Sequence, residues 1–382
     1  MNQVDHKAAL LRAARRVVVK VGSNVLATDG GVNAPRIRAL ARELAAIGTD
    51  REVVLVTSGA VAAGQSRLGI QRRGLEWRQA AAAVGQPGLM ALYERGFASR
   101  QRTVAQILVT HADLADRRRY LNARHTILHL LAAGVVPIVN ENDTVSVEEL
   151  KFGDNDDLSA LIATLIDAHL LVILSDVTGL HGADPRRDPT AARIAVAEAR
   201  SPDLDAVAGP ARRGVGTGGM RSKLAAARTA AAAGIPTVIA DGTRRGVLAR
   251  IFDARKDVGT LLLAPGDPLT RRKHWIAHTL KPKGTLHADR GAQRAVVDAG
   301  RSLLPTGLQR VEGTFGRGDC VRCVGPDGRE FARGLVNYSS NDTEKLCGAQ
   351  TADIESRLGY KGNDEVVHRD DLVVVALPMD LR

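Results

Sequence analysis

The sequence predicts an α/β protein with a mostly parallel central sheet flanked by helices, followed by a second, small β-barrel domain. Three observations predict it. Apolar runs at 17–19, 53–56, 135–139 and 170–174 are too continuous for strands with one wet face, so they read as buried parallel strands. Segments with helical spacing of apolar residues alternate with them. Beyond about residue 264 the pattern changes to short strands with frequent glycine. A length of 382 residues suits two domains. With 45% hydrophobic and only 3% aromatic residues, the core is expected to be Ala, Val, Leu and Ile.

From Val17 the run Val-Val-Val-Lys-Val reads as a strand that breaks off into Gly22-Ser23-Asn24. Lys20 is costly to bury there, and two readings stay open: an ammonium group contacting a phosphate at the strand end, or a side chain snorkelling to water. Ile37, Leu40, Ala41, Leu44 and Ile47 mark the next helix, which closes near Gly48. The strand 53–56 runs into Thr57-Ser58-Gly59-Ala60-Val61-Ala62-Ala63-Gly64. Small residues between strand and helix let backbone N–H groups approach an anion, and they serve tight packing equally well. Ala80 to Pro87 leads into a helix through Leu92, and Thr103 to Leu108 reads as a strand. A helix from Leu121 to Ala133 precedes strand 135–139, which ends in Asn140-Glu141-Asn142-Asp143.

Phe152-Gly153-Asp154-Asn155-Asp156-Asp157 comes next, directly before a helix marked by Leu158, Leu161, Ile162, Leu165 and Ile166. The acidic run is either a cap in a solvated loop or a site at the positive end of that helix. Strand 170–174 ends in Ser175-Asp176-Val177-Thr178-Gly179-Leu180; Asp184-Pro185 starts a turn and 202–210 is helix and loop. Gly216-Thr217-Gly218-Gly219-Met220-Arg221-Ser222-Lys223 opens an alanine-rich helix that closes at Gly234, before strand 235–240. This entry lacks the Gly-Lys-Ser/Thr tripeptide of a P-loop, yet it offers bare backbone, a helix N-terminus and a lysine one turn in. Ligands of open α/β sheets sit outside the carboxyl ends of strands, so Lys20, Ser58 and Asp143 should converge on one rim.

In the tail, Thr285 to Ala288 and Ala332 to Tyr338 read as strands, Ala292 to Ala299 as a helix and Pro326-Asp327-Gly328 as a hairpin turn. The formal charge is +11, but Lys281 to Arg382 holds 15 basic and 15 acidic residues, so the excess lies earlier. That distribution favours an anionic substrate or a generally basic surface over a basic C-terminal RNA-binding module. The N-terminal residues lack an apolar signal-peptide core, and no apolar stretch is long enough to span a membrane. Three cysteines make no disulfide framework, so a cytoplasmic protein is expected; Cys320-x-x-Cys323 with Cys347 falls short of a zinc set. Two lysines on glycine-rich turns, a carboxylate cluster and no Ser-His-Asp or metal-ligand spacing point to phosphoryl transfer, which works by positioning and charge neutralisation. Magnesium is the expected bridge between phosphates, held by few protein ligands.

K-V-G-S-N, V-T-S-G-A-V-A-A-G, A-V-G-Q, N-E-N-D, G-D-N-D-x-L-S-A, S-D-V-T-G-L and G-T-G-G-M-x-S-K occur in this order. Together they resemble the amino-acid kinase family, and the tail resembles a PUA domain. The resemblance implies an amino-acid kinase fold over 14–263, a linker over 264–280 and a PUA-like domain over 281–376. It implies ATP-dependent phosphorylation of the γ-carboxyl of L-glutamate to L-glutamyl 5-phosphate, the first step of proline biosynthesis, with proline as feedback inhibitor and a homo-oligomeric assembly. Lys20 and Lys223 would bind ATP and stabilise the transferring phosphoryl group, with Asp156 orienting them. Ser58, Asp143 and Asn155 match glutamate-binding positions, with Gly59 and Asp154 beside them. Ser175, Asp176, Thr217, Gly218, Gly219, Met220, Arg221 and Ser222 match nucleotide-binding segments, and no residue is assigned to a metal. Ser175 and Ser222 stand where threonine is common, and His181 where tyrosine often stands, which touches only the contact to the base. The rival readings are a sibling kinase for aspartate or N-acetylglutamate and an RNA-binding protein acting through the tail.

Overall fold

The computed structural model describes residues 3–28, 31–69, 74–146, 155–183, 188, 190–207, 219–253, 255–264, 282–360 and 362–375. The chain divides into two compact units, Met1–Pro265 and Gly266–Arg382. The first contains strands β1 (Arg16–Val21), β2 (Ala27–Thr28), β3 (Gly31–Val32), β4 (Glu52–Val56), β5 (Val104–Val109), β6 (Val136–Glu141), β7 (Leu170–Ser175), β8 (Val196–Glu198), β9 (Thr237–Asp241) and β10 (Thr260–Leu263). Eight of them form one sheet in the order β5-β6-β4-β1-β7-β9-β10-β8, while β2 and β3 form a separate ribbon. Within the large sheet every pairing is parallel except β9 with β10.

The strand β1 lies between β4 and β7, and Lys20 stands opposite Val56 on one side and Ile173 on the other. Side chains alternate along it. Val17, Val19 and Val21 join one apolar cluster with Ile37 and Leu40 of the helix Ala34–Ile47 and Leu89 and Phe97 of the helix Leu75–Ala98. Val18 joins the other, with Leu158 and Ile162 of the helix Asn155–Leu165 and Leu224 and Ala227 of the helix Met220–Ala232. The two-residue period therefore sends Lys20 to the face that these last two helices cover.

The helix that was expected to run through Leu92 is a single element, Leu75–Ala98, with Pro87 inside it. Proline removes a donor and crowds the carbonyl four residues back, which ordinarily ends a helix. Buried Ala82 before it and Leu89, Tyr93 and Phe97 after it hold the helix together through that point. At Gly85 the helix meets the helix Ala60–Leu68 so closely that an added Cβ would come within 1.9 Å of the Ala60 carbonyl oxygen and 2.5 Å of the Gly64 nitrogen. Gly85→Ala is expected to lower the unfolding free energy by about 1–3 kcal/mol or more, because backbone must move to admit the methyl group. An unchanged denaturant midpoint would contradict this contact.

The second unit has β11 (Gly284–Ala288), β12 (Leu308–Gly313), β13 (Cys320–Val324), β14 (Glu330–Leu335) and β15 (Leu372–Val374). Its sheet runs β12-β11-β13-β14-β15. The expected closed barrel is instead an open sheet among the described residues. The edge strand β15 is only three residues long, and helical residues close the apolar face: Val296, Leu346 and Ile354 pack against Leu286, Val321 and Phe331. Cys320 and Cys323 both lie buried in β13, and burial is the main cause pushing the Cys323 thiol up. Among the described residues no helix is long and apolar enough to cross a membrane.

Candidate active site

Three charged side chains meet at the carboxyl edge of the large sheet. Lys20 Nζ lies 2.6 Å from Asp156 Oδ1 and Lys223 Nζ lies 3.2 Å from Asp156 Oδ2, so one carboxylate faces two ammonium groups. All three are buried, with side-chain exposures of 1%, 5% and 0% for Lys20, Lys223 and Asp156. Each comes from a different element. Lys20 is the fifth residue of β1, Asp156 is in the first turn of the helix Asn155–Leu165, and Lys223 is one turn into the helix Met220–Ala232. A carboxylate there also complements the positive end of its own helix. The Ser222 hydroxyl donates to Asp156 Oδ2 at 2.8 Å, with the Gly219 carbonyl oxygen equally near. Burial by itself raises the Asp156 carboxyl, but the Lys20 and Lys223 charges with the hydrogen bonds from Lys20 and Ser222 outweigh it and hold it below the usual carboxylate range. Asp156 is therefore ionised at neutral pH.

Glycines keep the approach to these charges open. A side chain on Gly22, just past β1, would reach to 3.7 Å from Lys20 Nζ. Gly219 precedes the helix Met220–Ala232 in an extended conformation with no side-chain cap, and Gly59 precedes the helix Ala60–Leu68 at φ +105°, again without a side-chain cap. Both helices thus begin with backbone donors that no capping side chain takes up. The left-handed backbone at Gly59 explains the glycine, since other residues adopt it only with strain.

Beside the lysines a chain of amides crosses the ends of β4 and β6. Asn155 Nδ2 donates to the Thr57 carbonyl, and lies 3.1 Å from Ser58 Oγ and 2.9 Å from Asn140 Oδ1. Asn140 Nδ2 donates to Gln86 Oε1 at 2.9 Å. Thr57 is pinned beneath by a 2.7 Å contact between its hydroxyl and that of Tyr93. Asp143 is half-buried two residues past β6, at the same edge. Across β1, Asp176 follows β7, accepts from Asn24 Nδ2 at 3.0 Å and from Ser175 Oγ at 3.1 Å, and is held below its ordinary range by those bonds and by Lys223 despite partial burial, which acts the other way. His181 is fixed between Thr178 Oγ1 (2.9 Å) and the Ala191 carbonyl oxygen (2.8 Å); because a carbonyl only accepts, Nδ1 donates to it.

Lys20, Ser222 and Lys223 thus meet at Asp156, Ser58 and Asn155 form a second group, and Ser175 and Asp176 a third. Gly219 and Met220 start the lysine-bearing helix, and Arg221 is exposed within its first turn. Asp154, Thr217 and Gly218 lie outside the described residues, as does most of the expected linker 264–280. Residue-by-residue reasoning overlooked Gln86, Asn140 and Asn24. Each stood in a conspicuous motif, and the available signal was an amide side chain at a strand end or a helix contact among apolar neighbours.

The model of the amino acid kinase family matches residues 15–241, and that of the PUA domain matches residues 284–358. Among the similar proteins are glutamate 5-kinases of Geobacter sp. strain M21 and Citrifermentans bemidjiense. Each is 50% identical over 370 residues, covering 96% of this chain and 99% of its own length. The glutamate 5-kinase of Geobacter sulfurreducens is 48% identical over 373 residues, covering 97% of this chain and 100% of its own. With a parallel sheet whose edge carries two lysines on one carboxylate, and with these likenesses over nearly its full length, the chain belongs to the amino acid kinase family.

Proposed function

We propose that this chain transfers the γ-phosphoryl group of ATP to the γ-carboxylate of L-glutamate, giving L-glutamyl 5-phosphate, the first step of proline biosynthesis. The observation that carries the reading is the buried Lys20–Asp156–Lys223 group, with ammonium groups at 2.6 and 3.2 Å from the two oxygens of one carboxylate. Glutamate as the acceptor is supported by the name borne by relatives about half identical to the chain over their full length.

The acceptor is already ionised at neutral pH, so no general base is required. A γ-carboxylate oxygen forms the bond to the γ-phosphorus while the bond to the β,γ-bridging oxygen breaks, and that electron pair leaves with ADP. Lys20 and Lys223 face the charge spread over the transferring oxygens. Asp156 holds both in place beforehand, so little reorganisation accompanies the reaction. Ser175, Asp176 and 217–223 hold the nucleotide. Ser58 and Gly59 take the α-carboxylate of glutamate and Asp143 takes its α-ammonium group, and Asn155 and Asp154 complete the set of glutamate-binding residues. Magnesium is expected to be carried in on the nucleotide phosphates, held by few protein ligands. Bound there, the ion would neutralise phosphate charge. Proline as inhibitor, a homo-oligomer, a cytoplasmic setting and a division at 14–263, 264–280 and 281–376 complete the proposal.

ATP and magnesium supplied with L-glutamate, L-aspartate or N-acetyl-L-glutamate, with hydroxylamine to trap acyl phosphate, test it. Hydroxamate is expected from L-glutamate alone, and proline suppresses it. Hydroxamate from another acid instead would overturn the choice of substrate.

A further inference from the structure

The orientation of the amide chain at the ends of β4 and β6 is set by backbone groups that have only one role. The Glu141 N–H, which can only donate, points at Asn140 Oδ1 at 3.0 Å, so the other end of the Asn140 amide is its nitrogen. That nitrogen faces Gln86 at 2.9 Å, so the Gln86 atom it meets is Oε1. At the far end, Asn155 Nδ2 faces the Thr57 carbonyl, which can only accept. What remains is Gln86 Nε2, a donor of two hydrogens. It is buried and has no hydrogen-bond partner among the described residues, in a residue only 8% exposed. Buried amides are nearly always paired, so an orphan donor at the edge of a site calls for an explanation. Gln86 is also held rigidly, because Gly85 before it is locked against the Ala60 carbonyl at the uncapped start of the helix that follows Ser58-Gly59.

We infer that Gln86 is a further specificity-determining residue: its Nε2 donates to the α-carboxylate of the acceptor amino acid, beside Ser58 and Asn155. This rests on the substrate reading above. A carboxylate oxygen is the ligand chemistry that an amide N–H pair, an uncapped helix N-terminus and a serine hydroxyl share. In a setting already closed to water, such a charge-assisted bond is strong.

Two variants separate contact with substrate from support of Asn140. Gln86→Glu keeps an oxygen to accept from Asn140 and replaces only the orphan donor, with an anionic oxygen that repels a carboxylate. Gln86→Met keeps the bulk and loses both functions. Contact with substrate predicts that Gln86→Glu raises the KM for L-glutamate by about 10- to 100-fold, at least as much as Gln86→Met, with the KM for ATP unchanged. A merely supporting role predicts the reverse order, with Gln86→Glu close to wild type, and that result overturns the inference, as does wild-type behaviour of both variants. Should Gln86→Glu not fold, Gln86→Met is compared with wild type on L-glutamate and on its α-amide. The preference for the free α-carboxylate shrinks if Gln86 meets it, and stays the same if it does not. Wild-type protein that makes no hydroxamate from L-glutamate would instead refute the substrate reading itself, before any variant is measured.

Discussion

Lys223→Ala lowers kcat by at least about 10²-fold, the scale on which one preorganised contact to the transition state acts, and leaves the KM for L-glutamate little changed. The asymmetry follows from where the ammonium group sits. It faces Asp156, while the amides of Asn155 and Asn140 form a separate group around Ser58. The loss is one of turnover and not of folding, because Asp156 keeps Lys20 at 2.6 Å and Ser222 at 2.8 Å when Lys223 is gone. Steady-state rates beside a thermal melt of the same preparation check both parts. Unchanged turnover would remove Lys223 from the mechanism.

Asp156→Ala is expected to do more damage, to both activity and stability. Its side chain is wholly buried and meets two buried lysines, so truncation leaves two desolvated ammonium groups without the carboxylate they share. Breaking a buried ion pair from one side costs about 3–5 kcal/mol, so the denaturant midpoint falls along with the rate. Acid behaviour gives an independent readout. The Asp156 carboxyl titrates below its unfolded value, so its contribution is fully present above roughly pH 4 and is lost as pH falls through the lower folded value. The alanine variant lacks that segment of acid destabilisation. A variant as stable as wild type at neutral pH, with the same acid unfolding curve, would show that Asp156 does not hold the two lysines.

Much of this site was legible because strand polarity leaves few choices. A lysine near the end of a valine run must either reach an anion or snorkel to water, and the acidic run before Leu158 was the polar junction most able to supply the anion. At Lys20 the snorkelling alternative falls, since its side chain is 1% exposed and faces Asp156. The amides were harder. Nothing local in Ala-Val-Gly-Gln shows that Gly85 lies against Ala60, and only that long-range contact brings Gln86 to the ends of β4 and β6. The full length of the helix around Pro87 was hidden for the same reason, because the packing that carries the helix through it comes from distant elements. In the tail, short glycine-rich strands suggested closure into a barrel, but closure depends on edge-strand length and on which helices cover the sheet, and local pattern carries neither.

The most direct test of the central claim follows one oxygen atom. L-glutamate carrying a heavy oxygen isotope in its γ-carboxylate is turned over with ATP and magnesium, and the product is left to cyclise. Attack of the α-amine on the acyl carbon expels phosphate together with the oxygen that bridged carbon and phosphorus. The account predicts inorganic phosphate bearing one heavy oxygen, formed in wild-type protein and lost with Lys223→Ala. Phosphate without the label, released at an undiminished rate, would mean that water and not the γ-carboxylate receives the phosphoryl group, and would contradict it.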